Sequence, residues 1–140
     1  MTIFGFGLLN LLCLSFIFCD LSKELAYLHV VDESIISNLR MSPESRDDIF
    51  DAMEYFRKAL LKVYDIVLHH DRWCISDATF VYKMGRPRFL SESIDTYSLS
   101  QLYEWNIGHF TKLEALMLEI SQLWNNFVKQ YEFLQTLYNF

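Results

Sequence analysis

The tightest constraint on this chain is the spacing of apolar residues between His109 and Phe140. His109, Leu113, Leu116, Ile120, Leu123, Phe127, Leu134 and Leu137 follow one another at steps of four and three, with only Gln130 interrupting the row. Steps of that size stack side chains on one face of an α-helix, so the stretch predicts a long C-terminal helix. Beside this row Phe110, Met117, Trp124, Tyr131 and Tyr138 recur every seven residues. The two rows span an arc of about 180°, wider than the seam of a two-stranded coiled coil. Only five charged residues lie here: Lys112, Glu114, Glu119, Lys129 and Glu132. The reading therefore places this helix at the centre of a bundle.

Upstream, a second heptad-like stripe runs through Ile49, Met53, Phe56, Leu60, Val63 and Val67, widened by Phe50 and Tyr64. Ser42 and Pro43 give its start signal, Asp47 and Asp48 suit the positive helix end, and the helix is expected to reach His70. An earlier helix is expected from Leu21 to about Leu39, capped by Asp20. Leu21, Leu25, Leu28, Val31, Ile35 and Leu39 form its apolar face, and Lys23, Glu24, Asp32 and Glu33 fall on other faces. From Asp20 onward the breakers are only Pro43, Gly85, Pro87 and Gly108, which implies helices with few true loops. Residues 76–84 read as a short helix, with a Thr79–Tyr82 strand as the alternative. Arg86 to Asp95 reads as a loop. The last helix is expected to begin at Ser98 or Ser100, with a kink at Gly108. The fold expectation is all-α: a compact antiparallel helical bundle of three long helices plus one short one, preceded by an apolar N-terminal segment.

That segment, residues 1–19, carries no charge and is rich in Phe, Leu and Ile. It reads as a secretory signal cut after Cys19, although it has no Lys or Arg at its start. An uncleaved membrane anchor and a buried core helix are the alternatives. Residues 20–140 would then form the bundle domain, retaining Cys74 as its only cysteine and lacking an internal disulfide. There is no Asn-x-Ser/Thr sequon.

With 140 residues, 52% of them hydrophobic, the chain is long enough for one packed core. The net charge of −6 argues against nucleic acid, whose phosphates are met mainly by Lys and Arg. Lys83, Arg86 and Arg88 make only a small basic cluster, read as solvated. His69, His70 and Asp71 are adjacent, and neighbours on a helix point in different directions; with His29 or His109 needed to complete a tetrahedron, they read as helix-end residues, and no metal site is expected. Asp47 with Asp48, and Glu92 with Asp95, read as capping and solvated carboxylates. Cys74 near His69, His70 or His109 lacks the context of a nucleophile, and no phosphate-binding glycine loop occurs. His109 reads as a hydrogen-bonded core histidine. No catalytic residue and no cofactor is expected.

The functional expectation is a small secreted helical bundle that acts by binding a protein, without catalysis. Leu118 and Phe133 fall outside the main apolar arc. With Trp124, Tyr131 and Tyr138 they make up the expected partner-binding set. The alternatives are an intracellular scaffold subunit of a larger complex and a carrier of an apolar small molecule. Membrane attachment through residues 1–19, a cytoplasmic location and self-association belong to the same set of alternatives.

Overall fold

The computed structural model describes residues 21–41, 46–94 and 96–140. Residues 1–19, with the expected signal or anchor, lie outside that range, as does the Ser42–Pro43 start signal. Every regular element among the described residues is helical. The described residues form the α-helices α1 (Ser22–Ala26), α2 (Leu28–Met41), α3 (Arg46–Leu68), α4 (Ile75–Met84), α5 (Thr96–Tyr103) and α6 (Ile107–Tyr138), with a 3-10 turn at Arg88–Ser91. Residues 76–84 are helix, not strand. The expected first helix is interrupted at Tyr27, whose amide reaches back to the Glu24 carbonyl at 3.3 Å.

The most extensive packing joins α3 to α6. The whole α3 stripe of Ile49, Met53, Phe56, Leu60, Val63 and Val67 is buried. Cross-contacts fix the direction of the pair. The Lys112 ammonium lies 4.4 Å from the centre of the Phe50 ring, Arg57 meets Glu119 at 3.4 Å, and His70 meets Tyr138 at 3.2 Å. Residue numbers rise together, so α3 and α6 are parallel. This corrects the expected antiparallel arrangement at the centre of the fold. Antiparallel packing holds elsewhere: Tyr55 and Lys62 of α3 bond Glu24 ahead of α2, at 2.9 Å each. Likewise Thr79 meets Tyr131 at 2.9 Å, while Arg86, past the end of α4, meets Ser121 at 3.1 Å. The parallel pair is possible because α4, the 3-10 turn and α5 carry the chain back before α6 begins.

The buried row of α6 differs from the heptad read in the sequence. It is Leu113, Leu116, Ile120, Trp124, Phe127, Tyr131 and Leu134. Trp124 replaces Leu123, Tyr131 fills the place that Gln130 left open, and Leu137 is exposed. From Leu113 to Leu134 the row takes six steps over 21 residues and so keeps the heptad average, differing from the sequence row only in the order of its three- and four-residue steps. Trp124 and Tyr131 are thus seam residues of the helix.

Two further departures shape the framework. The first is Asp32, expected on a polar face but buried. Its carboxylate accepts the amides of Arg88 and Phe89, each at 2.8 Å, and so caps the 3-10 turn. Phe89 is thereby inserted edge-on against Phe56 at 5.3 Å. Arg88 pairs with Glu33 at 2.9 Å, and Arg40 grips Glu92 through two hydrogen bonds at 2.6 and 3.0 Å. The hydrogen bond and charge of Glu92 raise the Arg40 pKa above the ordinary guanidinium value. The stretch expected as a loop is therefore a strap held to α2, and the small basic cluster is largely engaged. Gly85 opens the strap at φ +85 and ψ 180, a combination essentially restricted to glycine.

The second departure is a break between α5 and α6, where one kinked helix was expected. Glu104 turns the chain at φ +59. Asn106 is extended and caps α6: its Oδ1 accepts the His109 amide at 3.0 Å, and His109 Nδ1 accepts the Asn106 amide at 3.0 Å. His109 thus fills the role that Glu takes in a capping box and is half-buried, not a core residue. Gly108 lies in the first turn and makes no kink.

Two substitutions separate these assignments from the sequence pattern. Trp124→Ala should lower unfolding free energy by about 3–5 kcal/mol in urea melts, and Leu123→Ala by no more than about 2 kcal/mol. Asp32→Ala should lower it by about 2–4 kcal/mol, because it leaves two amides of the strap without an acceptor.

Candidate functional site

Because α3 and α6 are parallel, both of their C-terminal ends reach the same end of the fold, where α4 begins. The turn that joins α3 to α4 is tightly built. The Asp71 amide bonds the Ile66 carbonyl at 3.0 Å and the His70 amide bonds that of Val67 at 3.4 Å, a Schellman arrangement. Its left-handed position, usually glycine, is His70 at φ +53. A non-glycine residue there costs about 1 kcal/mol, so the side chain is retained against a backbone preference. Asp71 then accepts the Trp73 amide at 3.1 Å through Oδ1, and its carbonyl accepts the Cys74 amide at 3.3 Å. Cys74 closes the turn, buried and disulfide-bonded. This corrects the expectation that Cys74 stands without an internal disulfide.

Over this turn lies a cleft of about 260 Å³, lined by His70, Asp71, Arg72, Ile75, Leu134, Tyr138 and Phe140. Leu134 is buried beneath it, and Phe140 meets Tyr131 edge-on at 5.6 Å. Tyr138 organises the polar side. Its hydroxyl meets His70 Nδ1 at 3.2 Å, and the Arg72 guanidinium carbon lies 4.0 Å from the centre of its ring. That stacking is a cation–π contact. Next to Arg72, the Trp73 indole is 89% exposed. Leu68 and Leu137 add exposed apolar surface on the last turns of α3 and α6.

Of the residues expected to meet a partner, Tyr138 alone belongs to this cluster. Leu118 and Phe133 are exposed at 61% and 49%. They stand fifteen residues apart on α6, about 22 Å along the helix, and do not make one patch. Trp124 and Tyr131 are core residues, 6% and 2% exposed, which removes them as contact anchors. Trp124 borders a shallow trough with Asn125, Asn126, Val128, Lys129 and Glu132.

The other chemistry-bearing residues are engaged structurally. His69 Nδ1 meets the Asp65 carbonyl at 2.9 Å while His70 turns to Tyr138, so the adjacent histidines diverge. Among the described residues no three of His, Cys, Asp and Glu converge on a point that could hold a metal. Asp47 and Asp48 occupy the first turn of α3. Glu92 is held by Arg40, and Asp95 lies outside the described residues.

Comparison with protein-family models, with curated proteins and with solved structures finds no match for this chain. The residues sequence reasoning missed are Arg72 and Trp73. Their signal was available: an isolated Trp beside Arg in a polar run between two apolar stripes.

The exposure of Trp73 against burial of Trp105 and Trp124 has a direct optical test. Acrylamide should quench chiefly one tryptophan component, and Trp73→Phe should remove it while shifting the remaining emission to the blue.

Proposed function

We propose that this is a small secreted helical-bundle protein that acts, without catalysis, by presenting the end of its bundle to another protein. The observation that carries this reading is Trp73, an almost fully exposed indole on a rigid turn beside Arg72 and Tyr138. Trp, Tyr and Arg are the residue types enriched at interface hot spots. A turn fixed by two capping hydrogen bonds and a disulfide loses little freedom on binding. In this reading residues 20–140 hold the bundle, and the apolar N-terminal segment directs export.

The Cys74 disulfide supports an oxidising location, since such bonds persist mainly in secreted proteins and are rare in the cytosol. Among the described residues no helix is long and apolar enough to cross a membrane. Leu118 and Phe133 remain on the flank as secondary contacts. A second reading has a specific observation behind it: the cleft, floored by Ile75, Leu134 and Phe140, is the place for a small apolar molecule.

Expression of the full chain in cultured eukaryotic cells should deliver the protein to the medium. Labelled protein should then bind cell surfaces saturably. Trp73→Ala, Arg72→Ala and Tyr138→Ala should each weaken binding about tenfold or more at unchanged fold, while Leu118→Ala and Phe133→Ala change it about twofold or less. Retention in the cytosol would overturn export, and equal binding by the three bundle-end variants would overturn the site. An organic extract yielding a bound apolar compound would favour the carrier reading.

A further inference from the structure

We infer that the cleft at the bundle end binds a small carboxylate with a compact apolar body. Arg72 takes the acid group, and the body lies on Ile75, Leu134 and Phe140. The inference rests on the reading of that cleft as the place for a small apolar molecule, and it adds the charge and the size of the ligand.

Arg72 decides the charge. Arg40, Arg57, Arg86 and Arg88 each donate to a side-chain oxygen, on Glu92, Glu54, Ser121 and Glu33 in turn. Arg72 has no such acceptor among the described residues. It is held instead by its ring contact, with the guanidinium carbon 4.0 Å from the centre of the Tyr138 ring. That ring is itself positioned by its hydroxyl, which meets His70 Nδ1 at 3.2 Å. Stacking occupies the face of a guanidinium and leaves the N–H groups at its edge to bond in plane. Two parallel N–H groups match the two oxygens of a carboxylate.

The surrounding charges agree with an anionic ligand. Asp71 is the only acid lining the cleft among the described residues, and its Oδ1 already accepts the Trp73 amide. The carbonyls of Ile66 and Val67 in α3 and of Gln135 in α6 also accept amides. The ends of these helices favour a cation, and Arg72 supplies it. A carboxylate completes the pair, whereas a cationic ligand would meet an unpaired guanidinium.

The apolar side sets the size. Leu134 is buried, Ile75 is half-buried, and the Phe140 ring is braced edge-on against Tyr131 at 5.6 Å. The cleft measures about 260 Å³. An apolar cavity of about 150 Å³ takes benzene, so this one takes a ring with a short chain and is too small for the whole of a long acyl chain.

The test titrates full-length protein, expressed in eukaryotic cells and purified without reductant, by calorimetry. The probes are phenylpropionate, phenylpropanol, phenylpropylamine and palmitate. Phenylpropionate should bind saturably and about tenfold or more tighter than the alcohol, with the amine weakest. Arg72→Gln should reduce the acid to the affinity of the alcohol. Arg72→Lys should restore only part of the preference, because it keeps the charge without the fork. Ile75→Trp should abolish binding of acid and alcohol alike by filling the cleft; if it does not fold, the variants of exposed Arg72 still decide. Alcohol or amine binding as tightly as the acid, or an Arg72→Gln variant with unchanged affinity for the acid, overturns the proposal and leaves the cleft as an apolar site. Palmitate binding more tightly than phenylpropionate overturns the compact body. No saturable binding by any of the four overturns the proposal and the small-molecule reading of the cleft together.

Discussion

The architecture turns on one buried carboxylate. Asp32 takes the two leading amides of the 3-10 turn and so fixes where the chain goes after α4. Charge-assisted hydrogen bonds of this kind are stronger than neutral ones, and burial makes the unpaired alternative expensive. With the strap anchored to α2, Phe89 enters the core against Phe56. The chain is then positioned to start α6 alongside α3 in the same direction. Without that return path, the largest interface in the fold would have no reason to be parallel.

Sequence periodicity revealed the helices and most of the core, because burial on one face repeats at 3.6 residues whatever the topology. Residues 76–84 resolved the same way: Gly85 and Pro87 mark a boundary that a helix needs. What periodicity could not separate was Leu123 from Trp124. The row read in the sequence and the buried row share Leu113, Leu116, Ile120, Phe127 and Leu134, and differ only in which of two adjacent residues is buried at 123–124 and 130–131. The interruption at Gln130 was the visible sign of that exchange, since Tyr131 takes the vacant place. Direction along the bundle left no trace in periodicity at all. It depends on the strap, and the strap depends on a carboxylate that sits beside the exposed Glu33 in sequence.

The candidate site was less legible for a related reason. Tyr138 could be found because its spacing marked the edge of the apolar arc. Arg72 and Trp73 lie in a turn, where patterns of burial do not repeat and where position follows from hydrogen bonds among His70, Asp71 and Cys74. His109 illustrates the same limit. Its place at the head of an apolar row suggested the core, but a local exchange of hydrogen bonds with Asn106 settled its role.

The parallel pairing of α3 and α6 also has an electrical meaning. Each helix carries the equivalent of about half a negative charge on its terminal carbonyls, and parallel packing sets two such ends side by side at the bundle end. The shorter α4 begins there and brings one opposing positive end. Backbone dipoles alone thus make this a place where cations are favoured, before any side chain is counted. Arg72, folded over Tyr138 at this end of the bundle, carries a charge of the sign that such a field favours.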